Sequence, residues 1–143
     1  MPGNEEEYVG SIIKLVNALW RGLSVSAALF YYNWGLIFAR WGQPHRAFWY
    51  MNRAVMMNTT NPKGYYHRAS LFMAVGNLRS AVQDFTTAIN LDPQYTDAYT
   101  RRGMMYTLLD QEDDARKDFD RAVQLGTDRE TLEREVGSLK PPR

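Results

Sequence analysis

The stretch PKGYYHRASLFMAVGNLRSAVQDFTTAINLD (Pro62–Asp92) decides the fold, because the chain carries its outline three times. ALFYYNWGLIFARWGQPHRAFWYMNRAVMMN, from Ala28, and TDAYTRRGMMYTLLDQEDDARKDFDRAVQLG, from Thr96, align with it without a gap, each start 34 residues from the next. An aromatic recurs at Tyr31, Tyr65 and Tyr99, a small residue at Gly35, Ala69 and Gly103, and a second aromatic at Phe38, Phe72 and Tyr106. Steps of three and four place these side chains on one helical face. Gly42, Gly76 and Asp110 then interrupt the pattern as turn residues. A second helical phase follows, marked by Ala47, Ala81 and Ala115, by Met51, Phe85 and Phe119, and by Ala54, Ala88 and Ala122. Small residues at fixed places let two antiparallel helices approach closely while the larger ones fill the gaps beside them.

Such a period is the signature of a helical repeat, in which each helix pair buries its apolar face against its neighbours. From about Ala28 to Gly126 the chain resembles the tetratricopeptide repeat family. The first repeat departs from that pattern with Met51 in place of an aromatic and Asn58-Thr59-Thr60-Asn61 in place of a closing proline; the third ends in Gly126-Thr127. The resemblance implies an all-α, right-handed superhelical solenoid of antiparallel helix pairs.

Residues outside the repeats read as capping helices of one domain. Ile12, Val16, Leu19 and Leu23 form an apolar stripe over residues 5–23, and Glu5–Glu7 suit the positive end of a helix dipole. Ser24 or Ser26 would cap the next helix. The repeats then occupy residues 28–61, 62–95 and 96–126. Thr127-Asp128-Arg129-Glu130 has the form of a capping box and opens a last helix over 127–139, with Leu132, Val136 and Leu139 on one face. Lys140–Arg143 reads as a frayed tail, and the whole as eight helices.

Composition excludes much. One domain of 143 residues with a formal charge of +1 offers no general electrostatic attraction for nucleic acid. With no cysteine it has no disulfide and no thiolate nucleophile, and with an acidic rather than basic N-terminus it fits a cytoplasmic setting. Gly22–Ala39 runs uncharged, at the lower edge of a membrane-spanning length, but it carries Ser24, Ser26, Tyr31, Tyr32 and Asn33 together with the repeat's own landmarks. Membrane insertion is therefore not expected. His45 and His67 lie in different repeats, and no phosphate loop, nucleophile elbow or zinc motif is present. The run Asp110–Asp114 lacks the order of a calcium loop and reads as a helix cap. No catalysis, metal or cofactor is expected.

Two surfaces remain as binding candidates. In the family, the first helix of each pair lines a concave groove that takes a peptide. By register that groove would be lined here by Tyr32, Leu36 and Arg40, by Lys63, Tyr66, His67 and Met73, and by Arg101 and Met104. One branch of the family grips the C-terminal carboxylate of heat-shock chaperones with a Lys/Asn/Arg clamp. Tyr32 and Leu36 stand where that clamp's first Lys and Asn would be, and His67 where its second Asn would be, so Arg101 alone corresponds. The second surface is the outer face of repeat 1. Trp49 falls where the sister repeats have Gln83 and Lys117, Met56 where they have Asn90 and Gln124, and Tyr50 where they have Asp84 and Asp118. With Trp41 and Arg53, this face has lost its polar coat. Either the N-terminal helix folds back over it, or it meets a partner. The function expected is non-enzymatic binding of a protein or peptide. Self-association as a homodimer through the Trp-rich first repeat is the alternative, along with an engineered binder whose first repeat was re-surfaced.

Overall fold

The computed structural model describes residues 5–139, with side chains described from Val9 onward. The side chains of Glu5–Glu7 and the tail Lys140–Arg143 lie outside the described residues. Seven helices and no strand make up the described part: α1 (Glu5–Arg40), α2 (Pro44–Met57), α3 (Pro62–Ala74), α4 (Leu78–Leu91), α5 (Thr96–Leu108), α6 (Glu112–Gln124) and α7 (Arg129–Gly137). α2, α4 and α6 begin 34 residues apart, as do α3 and α5. The sequence period is thus the structural period, and the architecture is an all-α, TPR-like solenoid.

Each pair turns in the same way. Gly42, Gly76 and Asp110 adopt positive φ angles of 68°, 76° and 58°. The next residue in each case donates its N–H back to Phe38, Phe72 or Tyr106 at 2.9 Å, which closes the helix end. Glycine adopts that conformation without steric cost, and aspartate is among the few others that tolerate it. Caps start the next helices: the Asn61 side chain accepts from the Lys63 N–H, and Asn77 from that of Ser80.

Small residues occupy the close crossings, as the register requires. A Cβ on Gly35 would stand 3.0 Å from Met51 Cε, and one on Gly103 would stand 2.5 Å from the Phe119 ring. Ala69 is fully buried with Ala81, Phe85, Ala88 and Met105. Ala69→Leu should therefore lower stability by about 1–3 kcal/mol through overpacking, measured by thermal or urea melts. A melt matching the parent would contradict the packing.

Four expectations need correction. Residues 5–40 form one helix rather than a cap followed by a repeat helix, so there are seven helices where eight were expected. Neither Ser24 nor Ser26 caps anything: their hydroxyls donate to the carbonyls of Arg21 and Gly22 within the continuing helix. No proline separates Arg21 from Ala28, and such back-bonding leaves the helix intact. At the other end Asp128, not Thr127, caps α7 by accepting from the Thr131 N–H at 2.8 Å. Finally, Asp110 lies in a turn, Gln111 is the N-cap of α6 without a side-chain bond, and Glu112, Asp113 and Asp114 fill the first turn, where the helix dipole favours acids.

The long α1 has consequences. At about 1.5 Å per residue it is roughly 54 Å long, against about 21 Å for α2. Its C-terminal part packs on α2 through Gly35 and Phe38, whereas residues 9–23 are exposed apart from a partly covered Gly10. Val9–Arg40 is long and apolar enough to cross a membrane by length and composition.

Candidate peptide-binding surfaces

Helices α1, α3 and α5 are the first members of their pairs, and a line of rings crosses them. Tyr32 on α1 meets His67 on α3 edge-on at 5.5 Å, and His67 meets Tyr66 at 5.1 Å. Tyr66 stacks on Tyr95, just before α5, at 4.9 Å and 29°. Beneath it, the fully buried Phe85 supports Tyr66 at 5.6 Å. All four rings of the line are half-buried, so each presents part of its surface to the outside. Burial holds the His67 imidazolium in disfavour, with Lys63 adding repulsion, so its pKa is lowered. Burial likewise raises the Tyr32 and Tyr95 hydroxyls, that of Tyr95 helped by the neighbouring Tyr66 and Tyr32. These shifts favour the neutral forms of His67, Tyr32 and Tyr95, and the line is apolar along its flanks and able to hydrogen-bond at its tips.

Around it the other expected groove residues divide. Leu36, Met73 and Arg101 are half-buried, and Arg40 and Lys63 are exposed. Arg101 has no acidic partner among the described residues. Met104 is a correction: at 7% exposure it belongs to the core with Ala69 and Ala98, because its place on α5 faces the helix pair rather than the groove. Tyr95 was not foreseen. It occupies the place of Ala27 and Asn61 in the repeat frame, so no periodic landmark signals it.

The outer face of repeat 1 is not covered by the N-terminal helix. Trp41, Trp49 and Met56 are 62%, 53% and 68% exposed. The fold-back is ruled out because residues 5–40 form one uninterrupted helix. Tyr50 is half-buried and anchors the cluster, stacked on Phe38 at 5.1 Å with Trp49 against its edge at 4.9 Å. Arg53 lies over the Trp49 ring at 5.7 Å. Of the other rings of repeat 1, Phe38 is buried, Tyr31 and Phe48 are half-buried, and Trp34 is exposed.

Repeats 2 and 3 carry a feature that repeat 1 lacks. Arg68 grips Asp84 through Nε at 2.6 Å and Nη2 at 2.8 Å, and its third nitrogen donates to Asn52. Arg102 repeats the arrangement in the next pair, gripping Asp118 through Nε and Nη2 at 2.7 Å each and donating to Thr86. Each fork ties both helices of its own pair to the pair before. The counterparts in repeat 1 are Trp34 and Tyr50, whose ring centroids lie 6.3 Å apart. An aromatic pair has replaced an ion pair. The sequence signal was the Arg, Asp and Asn/Thr triplet recurring in register.

A family model described as tetratricopeptide repeat matches residues 62–95 and 96–125. Residues 62–125 are thus two tetratricopeptide repeats. Residues 28–61 align with those two repeats and fold into the same helix pair. Over 58 residues the chain is 40% identical to the human mitochondrial import receptor subunit TOM70, matching 41% of this chain and 10% of that protein. Over 81 residues it is 31% identical to tetratricopeptide repeat protein 36 of Xenopus tropicalis, matching 54% of this chain and 40% of that protein. The chain thus spans less than half the length of these relatives. Among solved structures, the second TPR of Spaghetti (RPAP3) bound to the HSP90 peptide SRMEEVD superimposes with a TM-score of 0.71 at 27% identity. That match covers 73% of this chain and 96% of the other.

Proposed function

We propose that this protein is a non-catalytic scaffold that binds a short amphipathic peptide of a partner protein along the ring line of α1, α3 and α5. The observation that carries the reading is the half-buried series Tyr32, His67, Tyr66 and Tyr95. Rigid rings already held by their neighbours lose little conformational freedom when a ligand covers them. Arg101 supplies a charge-assisted donor for an acidic side chain or terminal carboxylate. Support also comes from the similar RPAP3 domain with its bound acidic peptide. This chain has Tyr32, Leu36 and His67 where a carboxylate clamp has Lys and Asn. Its preferred peptide is accordingly more apolar than SRMEEVD and depends less on salt.

Selection of a displayed peptide library on the full chain, followed by titration of the enriched sequences, tests this. Tyr66→Ala and Arg101→Ala should each weaken binding at least about tenfold with helicity retained. Raising salt should weaken the parent more than Arg101→Ala. Unchanged binding by both variants, with a large loss for Trp49→Gln, would move the site to the outer face of repeat 1.

A further inference from the structure

Among the described residues one helix face remains without a partner, and its spacing is that of a seam. From Val9 to Trp41 an apolar residue recurs at alternating steps of four and three. One set is Ile13, Trp20, Ala27, Trp34 and Trp41; the other is Val9, Val16, Leu23, Phe30 and Ile37. These are the two core positions of a heptad, sustained for more than four heptads. All of them except Ala27 are exposed, Trp20 and Leu23 to 68% and 65%. Lys14 and Arg21, the only charged residues between Val9 and Ala39, lie on the opposite face. On a straight helix such a stripe drifts by about 20° per heptad, so a partner that follows it is itself a helix, supercoiled left-handedly.

We infer that the partner is α1 of a second copy, lying antiparallel along this seam. The stripe supports that register because three of its five pairs about the midpoint set a larger side chain against a smaller one, the other two being Ile13 with Ile37 and Trp20 with Phe30. Val9 meets Trp41 of the other copy, Val16 meets Trp34, and Leu23 meets Ala27. The exposed apolar area amounts to on the order of 1,000 Å² per protomer, above the ~800 Å² per partner of a standard interface. The arrangement also covers repeat 1. The N-terminal half of α1 cannot fold back on its own Trp34 and Trp41, since the helix is continuous, but it reaches those of the second copy. A lipid bilayer fits less well. The seam continues onto the part of α1 that is packed against α2, so burying it in hydrocarbon would carry exposed Arg40, Arg46 and Arg53 with it.

Light scattering on the full chain should return twice the 16.6 kDa of one protomer. Trp20→Glu with Leu23→Glu, both at exposed positions, should weaken dimerisation at least about 100-fold while the helical signal persists. The chain has no cysteine, so introduced ones report cleanly. Oxidising a mixture of Ile13→Cys and Ile37→Cys chains should link one to the other, whereas Ile13→Cys alone should not link to itself, its two copies lying roughly 36 Å apart along the seam. A monomer at about 100 μM, a dimer indifferent to the double glutamate variant, or self-linked Ile13→Cys would each overturn the proposal. So would a monomer that floats with phosphatidylserine-containing vesicles, in which case the seam meets lipid.

Discussion

Asp118→Ala is expected to lower the unfolding free energy by about 3–5 kcal/mol, because it leaves the Arg102 guanidinium buried without its counter-charge. Asp118 accepts two hydrogen bonds from Arg102, and both side chains are largely shielded from water. Taking two charges out of water is costly, and only their mutual contact offsets it. Removing one partner therefore costs far more than the pair contributes net. Replacing both, as Arg102→Met with Asp118→Leu, should restore most of the stability. Urea titration of the single and double variants checks this. Equal losses for the single and the double would mean that the fork is not what holds the third pair to the second. Asp84→Ala should behave alike through Arg68, which has the same geometry and a slightly more exposed guanidinium.

Phe85→Ala is expected to cost about 3–5 kcal/mol, since a fully buried ring is removed from the centre of the core and its neighbours cannot close the gap. It should also reach the candidate site. The Phe85 ring lies 5.6 Å below Tyr66, which stacks on Tyr95, so the cavity opens directly under the ring line. Peptide affinity measured well below the melting temperature should fall about tenfold with Tyr66 itself intact. Affinity at the parent level, despite the loss of stability, would show that Tyr66 is held by Tyr95 and His67 alone.

Much of the repeat was legible because its determinants are local. A glycine or aspartate that must adopt positive φ, a glycine or alanine where two helices cross, and an aromatic one helical step away are each set within a few residues of chain. A period then multiplies the signal by three. The Arg68–Asp84 and Arg102–Asp118 forks were equally present in the sequence, but a charge on a helix usually reads as a solvated face. Only the packing shows that Asp84 and Asp118 point into the joint between pairs.

The candidate site was less legible. Register pointed to Tyr32, Tyr66 and His67 but not to Tyr95, which is the last residue of its repeat, in the turn before α5, where the pattern sets no landmark. Met104 shows the opposite failure: a helix position that looks outward in the pattern is turned inward by the packing of α5 against α4 and α6.

The sequence by itself determined the helix pairs, their turns and their 34-residue spacing, because those depend on steric rules that act between near neighbours. The tertiary structure decided the fate of the N-terminal half of α1 and of the aromatic face of repeat 1. Whether Ser24 and Ser26 cap a new helix or bond back into the old one is a contest between two local arrangements of similar energy. The continuous helix prevailed, and with it the chain lost the means to cover its own Trp34 and Trp41.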